Sequence, residues 1–270
     1  MTIIVSVKIN DGVVMAADSA STFATGQIYL HTNKITNLVK GLPIGVMVTG
    51  AGGIGSESIE TLCKDLRTRL SGFDKTHEDW KLDPETFTMS QVADRTLEMF
   101  SAKTAAADQE VWMLLRLCGY SAGRPLAEVW DLVVTNEPGA PPPSKTQLQA
   151  ESSFGPRWTG ETEALDRLVL GLGNRFAVVV RELGFTGEQA ADAQQKMRAG
   201  MYEMLYLNAM PVEDAIALAR YMVDVTSGFM KFAGQRPKTV GGPVEIATIT
   251  KHEGFRWVQR KHFYPVALNA

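Results

Sequence analysis

The sequence predicts an α+β fold in which two antiparallel sheets lie between layers of helix. Three observations predict it. Strand-patterned pairs open and close the chain, an apolar strand pair sits near its centre, and helical periodicity fills the stretches between them. Neither a linker nor an internal repeat divides the 270 residues, so one domain spanning 1–270 is expected.

Residues 2–9 read Thr-Ile-Ile-Val-Ser-Val-Lys-Ile, with apolar side chains at 3, 5, 7 and 9. Thr2, Ser6 and Lys8 share the other face with Ile4, and this period of two predicts a half-buried strand. Asn10-Asp11-Gly12 tolerate positive φ in a tight hairpin turn, and Val13–Asp18 return along the first strand. A two-residue loop pairs Ile9 with Gly12 and Ile3 with Asp18; a three-residue loop pairs Ile9 with Val13 and Ile4 with Asp18. Either register brings the Asp18 carboxylate close to Thr2.

A loop at Ala24-Thr25-Gly26 precedes short strand material at 28–30 and 34–38. Ile44–Thr49 is almost continuously apolar, as suits a strand buried on both faces. Ser56–Leu70 then repeats apolar residues at 59, 62, 66 and 70, the spacing of a helix. After a polar stretch, a second helix is expected from Ser90 to about Lys103, and a central strand pair over 111–120 and 125–135. Pro138–Ser144 is proline-rich and reads as an exposed loop. Thr159 is the expected N-cap of the next helix. Helices follow over 164–180, despite glycines at 171 and 173, and from Phe185 to about Asn208. A last long helix starts at Met210–Asp214, and strands over 244–250 and 255–258 turn at Glu253-Gly254.

Composition narrows the function classes. A hydrophobic content of 45% and charged content of 21% are ordinary for a soluble globular protein. The net charge of −3 and the lack of a basic cluster argue against nucleic acid. No apolar run reaches the ~18 residues of a membrane span, and the start lacks the pattern of a signal peptide. A bacterial cytoplasm is therefore the expected compartment. Cys63 and Cys118 are expected as free buried thiols. The four histidines do not form metal-ligand spacing, so no metal or other cofactor is expected.

Gly50–Gly55 spells GxGxxG between a strand and a helix. A dinucleotide site would need a βαβ unit and an acidic residue about 20 positions on, at the end of a second strand. Position 70 instead ends a helix, and no strand follows until Val111, so the glycines read as structural.

The chemistry-bearing residues are at the start. Removal of Met1 would leave Thr2 with a hydroxyl nucleophile and an α-amine of pKa roughly 8 on one residue, a recognised activated nucleophile. Such a site needs a fixed positive charge. Lys34 is the candidate, with Asp18 to hold its ammonium.

Thr2–Val7, Asp11–Asp18 and Lys34-Ile35 resemble the catalytic β-subunits of proteasomes and, more closely, the bacterial peptidase HslV. The resemblance is specific over residues 2–35. It implies an N-terminal-nucleophile (Ntn) hydrolase fold of four αββα layers and a threonine peptidase that cleaves peptide bonds inside a self-assembled ring. It also implies Thr2 as nucleophile, Asp18 and Lys34 as its charged pair, Gly50 as oxyanion donor and Thr159 as an aid to proton transfer. Ser21, Thr22, Thr32 and Val48 would contact the substrate, favouring modestly apolar side chains. Peptide or unfolded-protein substrates and an ATPase unfoldase are the implied partners. Residues 138–157 and 171–207 would be insertions relative to such peptidases. Pro237 and Val240 stand where the family carries an Asp and a Ser that steady the site. Two alternatives keep the fold: a non-catalytic ring or scaffold subunit that retains Met1, and an amidohydrolase acting on small amides.

Overall fold

The computed structural model describes residues 2–22 and 27–261; Met1 and the loop expected at 24–26 lie outside them. The chain begins with β1 (Ile3–Ile9), β2 (Gly12–Ala17), β3 (Ser21–Thr22), β4 (Ile28–Tyr29), β5 (Ile35–Asn37) and β6 (Ile44–Gly50). Next come β7 (Gly53–Ile54), β8 (Glu57–Ser58), α1 (Ile59–Leu70), a 3-10 segment (Lys75–Trp80) and α2 (Met89–Ala105). The central strands are β9 (Trp112–Gly119), β10 (Glu128–Thr135), β11 (Ser144–Gln149) and β12 (Gly155–Gly160). The remainder is α3 (Glu163–Val169), α4 (Phe176–Glu182), α5 (Gly187–Met201), α6 (Val212–Phe232), β13 (Glu245–Thr250) and β14 (Gly254–Gln259).

The protein is α+β. One five-stranded sheet has the order β12-β1-β2-β13-β14 and the other β11-β10-β9-β6-β5, with every pairing antiparallel. Three apolar clusters hold these elements. Ile3, Val5, Val7 and Ile9 of β1 pack with Ala215, Ala219, Met222 and Val223 of α6. Leu62, Leu66, Val92 and Phe100 of α1 and α2 pack with Val46, Leu115 and Leu132 of the second sheet. Ile4, Met15 and Ile249 of the first sheet meet Met47, Leu114 and Cys118 of the second. Among the described residues no helix is long and apolar enough to cross a membrane.

The helix expected from Ser56 starts at Ile59 and buries its apolar positions 59, 62, 66 and 70, and the helix over 89–105 buries Val92, Ala93, Met99 and Phe100, with Leu97 partly buried. Several other expectations are corrected. β1 is buried along its whole length, because its Thr2–Lys8 face lies against the second sheet instead of solvent. Lys8 is accommodated there by donating to the carbonyls of Ala150 and Glu151 at 2.5 and 2.9 Å. The hairpin has the two-residue loop, with Ile9 facing Gly12, but Asn10 and Asp11 do not use positive φ. Gly12 is needed instead for a close approach: a Cβ there would sit 2.5 Å from Ile249 O of β13.

The helix expected over 164–180 is broken between α3 and α4, where Gly171 has φ 74°. The next helix ends at Met201, short of Asn208. Residues 144–149 and 155–160 are edge strands of the two sheets, so the loop expected over 138–144 gives way to strand at Ser144 and Thr159 lies in a strand and not at a helix start. They lack an apolar stripe because an edge strand is covered on fewer sides, and Pro156 is tolerated for the same reason. Residues 171–207 carry α4 and α5, in which Ala190 alone is buried.

Candidate active site

The hairpin register decides where the acid goes. With Ile9 opposite Gly12, Ile3 and Asp18 become neighbours across β1 and β2. The Asp18 N–H donates to Ile3 O at 3.3 Å, and the Ile3 N–H donates to Asp18 Oδ1 at 3.0 Å. Lys34 Nζ reaches the same Oδ1 at 2.6 Å. The N–H groups of Ala20 and Gly241 each donate to Oδ2 at 3.0 Å. A carboxylate withdrawn from water persists only when its lone pairs are satisfied in this way, and Asp18 is 0% exposed.

Lys34 enters just before β5, and its backbone carbonyl accepts from Val48 N–H of β6 at 3.0 Å. Its side chain is 4% exposed, and the ammonium donates also to Ala20 O at 2.5 Å. Burial holds the Lys34 pKa below the ordinary lysine value, while the charge and hydrogen bond of Asp18 oppose the shift and the charge of Lys261 adds to it.

Thr2 precedes β1 and is buried, and its carbonyl oxygen accepts the Glu161 N–H at 2.8 Å. Thr2, Lys34 and Gly50 line one cavity of about 200 Å³. Gly50 closes β6 with φ 104°, and a Cβ on it would lie 2.4 Å from Trp112 O, so the close strand contact requires glycine.

Ser21, Thr32 and Val48 line the same cavity, whereas Thr22 is not among its lining residues. Thr159 also stands apart. It lies in β12 opposite Ile4 and caps no helix; α3 starts after Thr162. Its hydroxyl accepts from Arg116 Nη2 at 2.7 Å. Arg116 is buried, grips Asp131 through Nε and Nη2 at 2.7 and 2.8 Å, and so pins β12 to the second sheet.

The cavity contains polar residues that the sequence reading passed over: His31, Asn33, Ser58 and Glu60. Asn33 Nδ2 donates to Glu60 Oε2 at 3.0 Å, and Lys64 pairs with Glu60 at 2.7 Å. Glu60 and Lys64 have the i,i+4 spacing of a solvated helix pair, which conceals a cavity-facing acid. Gly241 was also missed. Where the resemblance would place supporting side chains, its backbone N–H binds Asp18 and its carbonyl accepts the Ser19 N–H at 2.9 Å.

Gly50–Gly55 is not followed by a βαβ unit: β6 runs antiparallel to β5 and β9, and the glycines lead through β7 and β8 to α1. Cys63 and Cys118 are free and buried, and burial pushes both thiols up to about 12. Among the described residues no group of three or more His, Cys, Asp or Glu side chains is placed to hold a metal. In comparisons with known proteins, the chain matches no family model and no curated protein.

Proposed function

We propose that the chain is a threonine peptidase of the proteasome β-subunit and HslV kind, a single Ntn-hydrolase domain that works in the cytoplasm inside a self-assembled ring. The observation that carries the proposal is the convergence of Lys34 Nζ and the Ile3 N–H on one oxygen of Asp18, directly beside Thr2. The three apolar clusters support a four-layer order of helices, sheet, sheet and helices.

In this reading Met1 is removed and Thr2 Oγ attacks the scissile carbonyl while the Thr2 α-amine takes the hydroxyl proton. Lys34 supplies a fixed positive charge that favours the neutral amine and the developing alkoxide, and Asp18 orients that charge. The Gly50 N–H stabilises the oxyanion. Collapse of the tetrahedral intermediate breaks the C–N bond, and the amine returns its proton to the leaving group. Water then hydrolyses the Thr2 ester and regenerates the hydroxyl. Unfolded protein is the substrate, and an ATPase unfoldase is the partner that would deliver it.

The small volume of the cavity, about 200 Å³, favours a second reading, hydrolysis of small amides by the same residues. Intact mass combined with an epoxyketone probe tests the proposal. Loss of Met1 and one covalent adduct, absent from Thr2→Ala, are expected; a retained Met1 on native protein overturns it. Comparing peptide with small-amide turnover separates the two substrates.

A further inference from the structure

A second buried ion pair lies behind the first, and neither of its members has a part in the chemistry above. Glu245 opens β13 opposite Ala17, the residue before Asp18. Its side chain is 1% exposed, and its carboxylate pairs with Lys261 Nζ at 3.3 Å. Lys261 Nζ also donates to Ser19 Oγ and to Thr32 O, both at 2.6 Å. Ser19 follows Asp18 and donates its own hydroxyl to Pro243 O at 2.5 Å. Thr32 lines the cavity, lies two residues before Lys34, and donates its N–H to Ser19 O at 3.0 Å.

The geometry points to Lys261, charge-paired with Glu245, as a positioning residue that ties the segment carrying Asp18 to the segment carrying Lys34 and sets the electrostatic field at the Lys34 ammonium. The inference rests on the proposed peptidase site for its functional meaning, but not for its test. An ammonium largely withdrawn from water between two connecting segments is expensive unless paired, and Glu245 supplies the pair. The charged groups facing Lys34 come from several elements: Asp18 after β2, Glu245 on β13 and Lys261 after β14. Glu60 of α1 and His31 lie around the same cavity. Lys261 pushes the Lys34 pKa down and Glu245 pushes it up.

The test is a pH titration of the Lys34 ammonium by ¹⁵N-lysine NMR on the full chain. The proteins compared are wild type, Lys261→Met, Glu245→Gln and Lys261→Arg. Lys261→Met should raise the Lys34 midpoint, Glu245→Gln should lower it, and Lys261→Arg should leave it near wild type. Midpoints that move in the same direction in the first two variants, or do not move, overturn the inference. Should Lys261→Met fail to fold, Glu245→Gln with Lys261→Arg decides the same question, and an unmoved midpoint in Glu245→Gln is then the overturning result. The titration needs no turnover, so it is read whether or not Thr2 reacts with an epoxyketone. Where Thr2 does react, displacement of the Thr32–Lys34 segment in Lys261→Met should slow adduct formation on the order of 100-fold, with Lys261→Arg keeping most of the wild-type rate.

Discussion

Gly160 and Thr2 approach one another more closely than any residue with a side chain allows: a Cβ on Gly160 would fall 1.8 Å from the carbonyl oxygen of Thr2. Gly160 has φ 110° and sits opposite Ile3 at the end of β12. The Glu161 N–H then secures the same carbonyl. The backbone of Thr2 is thus held from β12, while its neighbour Ile3 is held by Asp18. Gly160→Ala should cost about 1–3 kcal/mol of stability from backbone strain alone and should reduce epoxyketone labelling of Thr2 in protein that still folds. Urea unfolding and labelling rates check both.

Lys34→Ala should be costly twice over. It leaves Asp18 buried without its counter-charge, a loss of about 3–5 kcal/mol in stability. It also removes the proposed catalytic charge, so labelling should fall by several orders of magnitude, equivalent to roughly 3–5 kcal/mol of transition-state stabilisation. Labelling at the wild-type rate in folded Lys34→Ala would refute the catalytic role.

Thr159→Val should behave quite differently. Its hydroxyl serves Arg116, so the loss is expected at about 1 kcal/mol of stability with labelling close to wild type. Arg116→Met, which strands Asp131, should cost about 3–5 kcal/mol. A Thr159→Val protein that is stable but fails to label would restore Thr159 to the chemistry.

Lys8 makes stability depend on pH. Burial lowers its pKa to about 8, with Glu128 and Glu151 pulling the other way. The unfolded chain therefore binds more protons than the folded one between about 8 and the ordinary value of 10.5, so Lys8 makes stability rise with pH across that window. Below it the ammonium is charged in both states and the dependence vanishes. The difference between wild type and Lys8→Met, measured by urea unfolding, should grow by about 1–3 kcal/mol over the window. The buried thiols act oppositely at high pH, but they do so in both proteins and cancel. A flat difference would refute the assignment.

Local pattern made much of this protein legible. Apolar residues at 59, 62, 66 and 70 specify a buried helix face through the 3.6-residue repeat alone. The return of Asp18 toward Thr2 follows from a short turn and a period of two, and needs no knowledge of the rest of the chain. Non-local partners decided the remainder. The polar face of β1 is buried because a second sheet covers it, and that sheet is built from residues 35–149. Thr159 is a strand residue because Ile4 and Arg116 hold it, over 150 and 40 positions away in sequence respectively. Gly241 and Lys261 reach the site only because β13 and β14 return to the edge of β2. Periodicity records which face of an element is apolar; which distant backbone atom or charge arrives beside a given residue is a property of the packed sheets, and no local pattern encodes it.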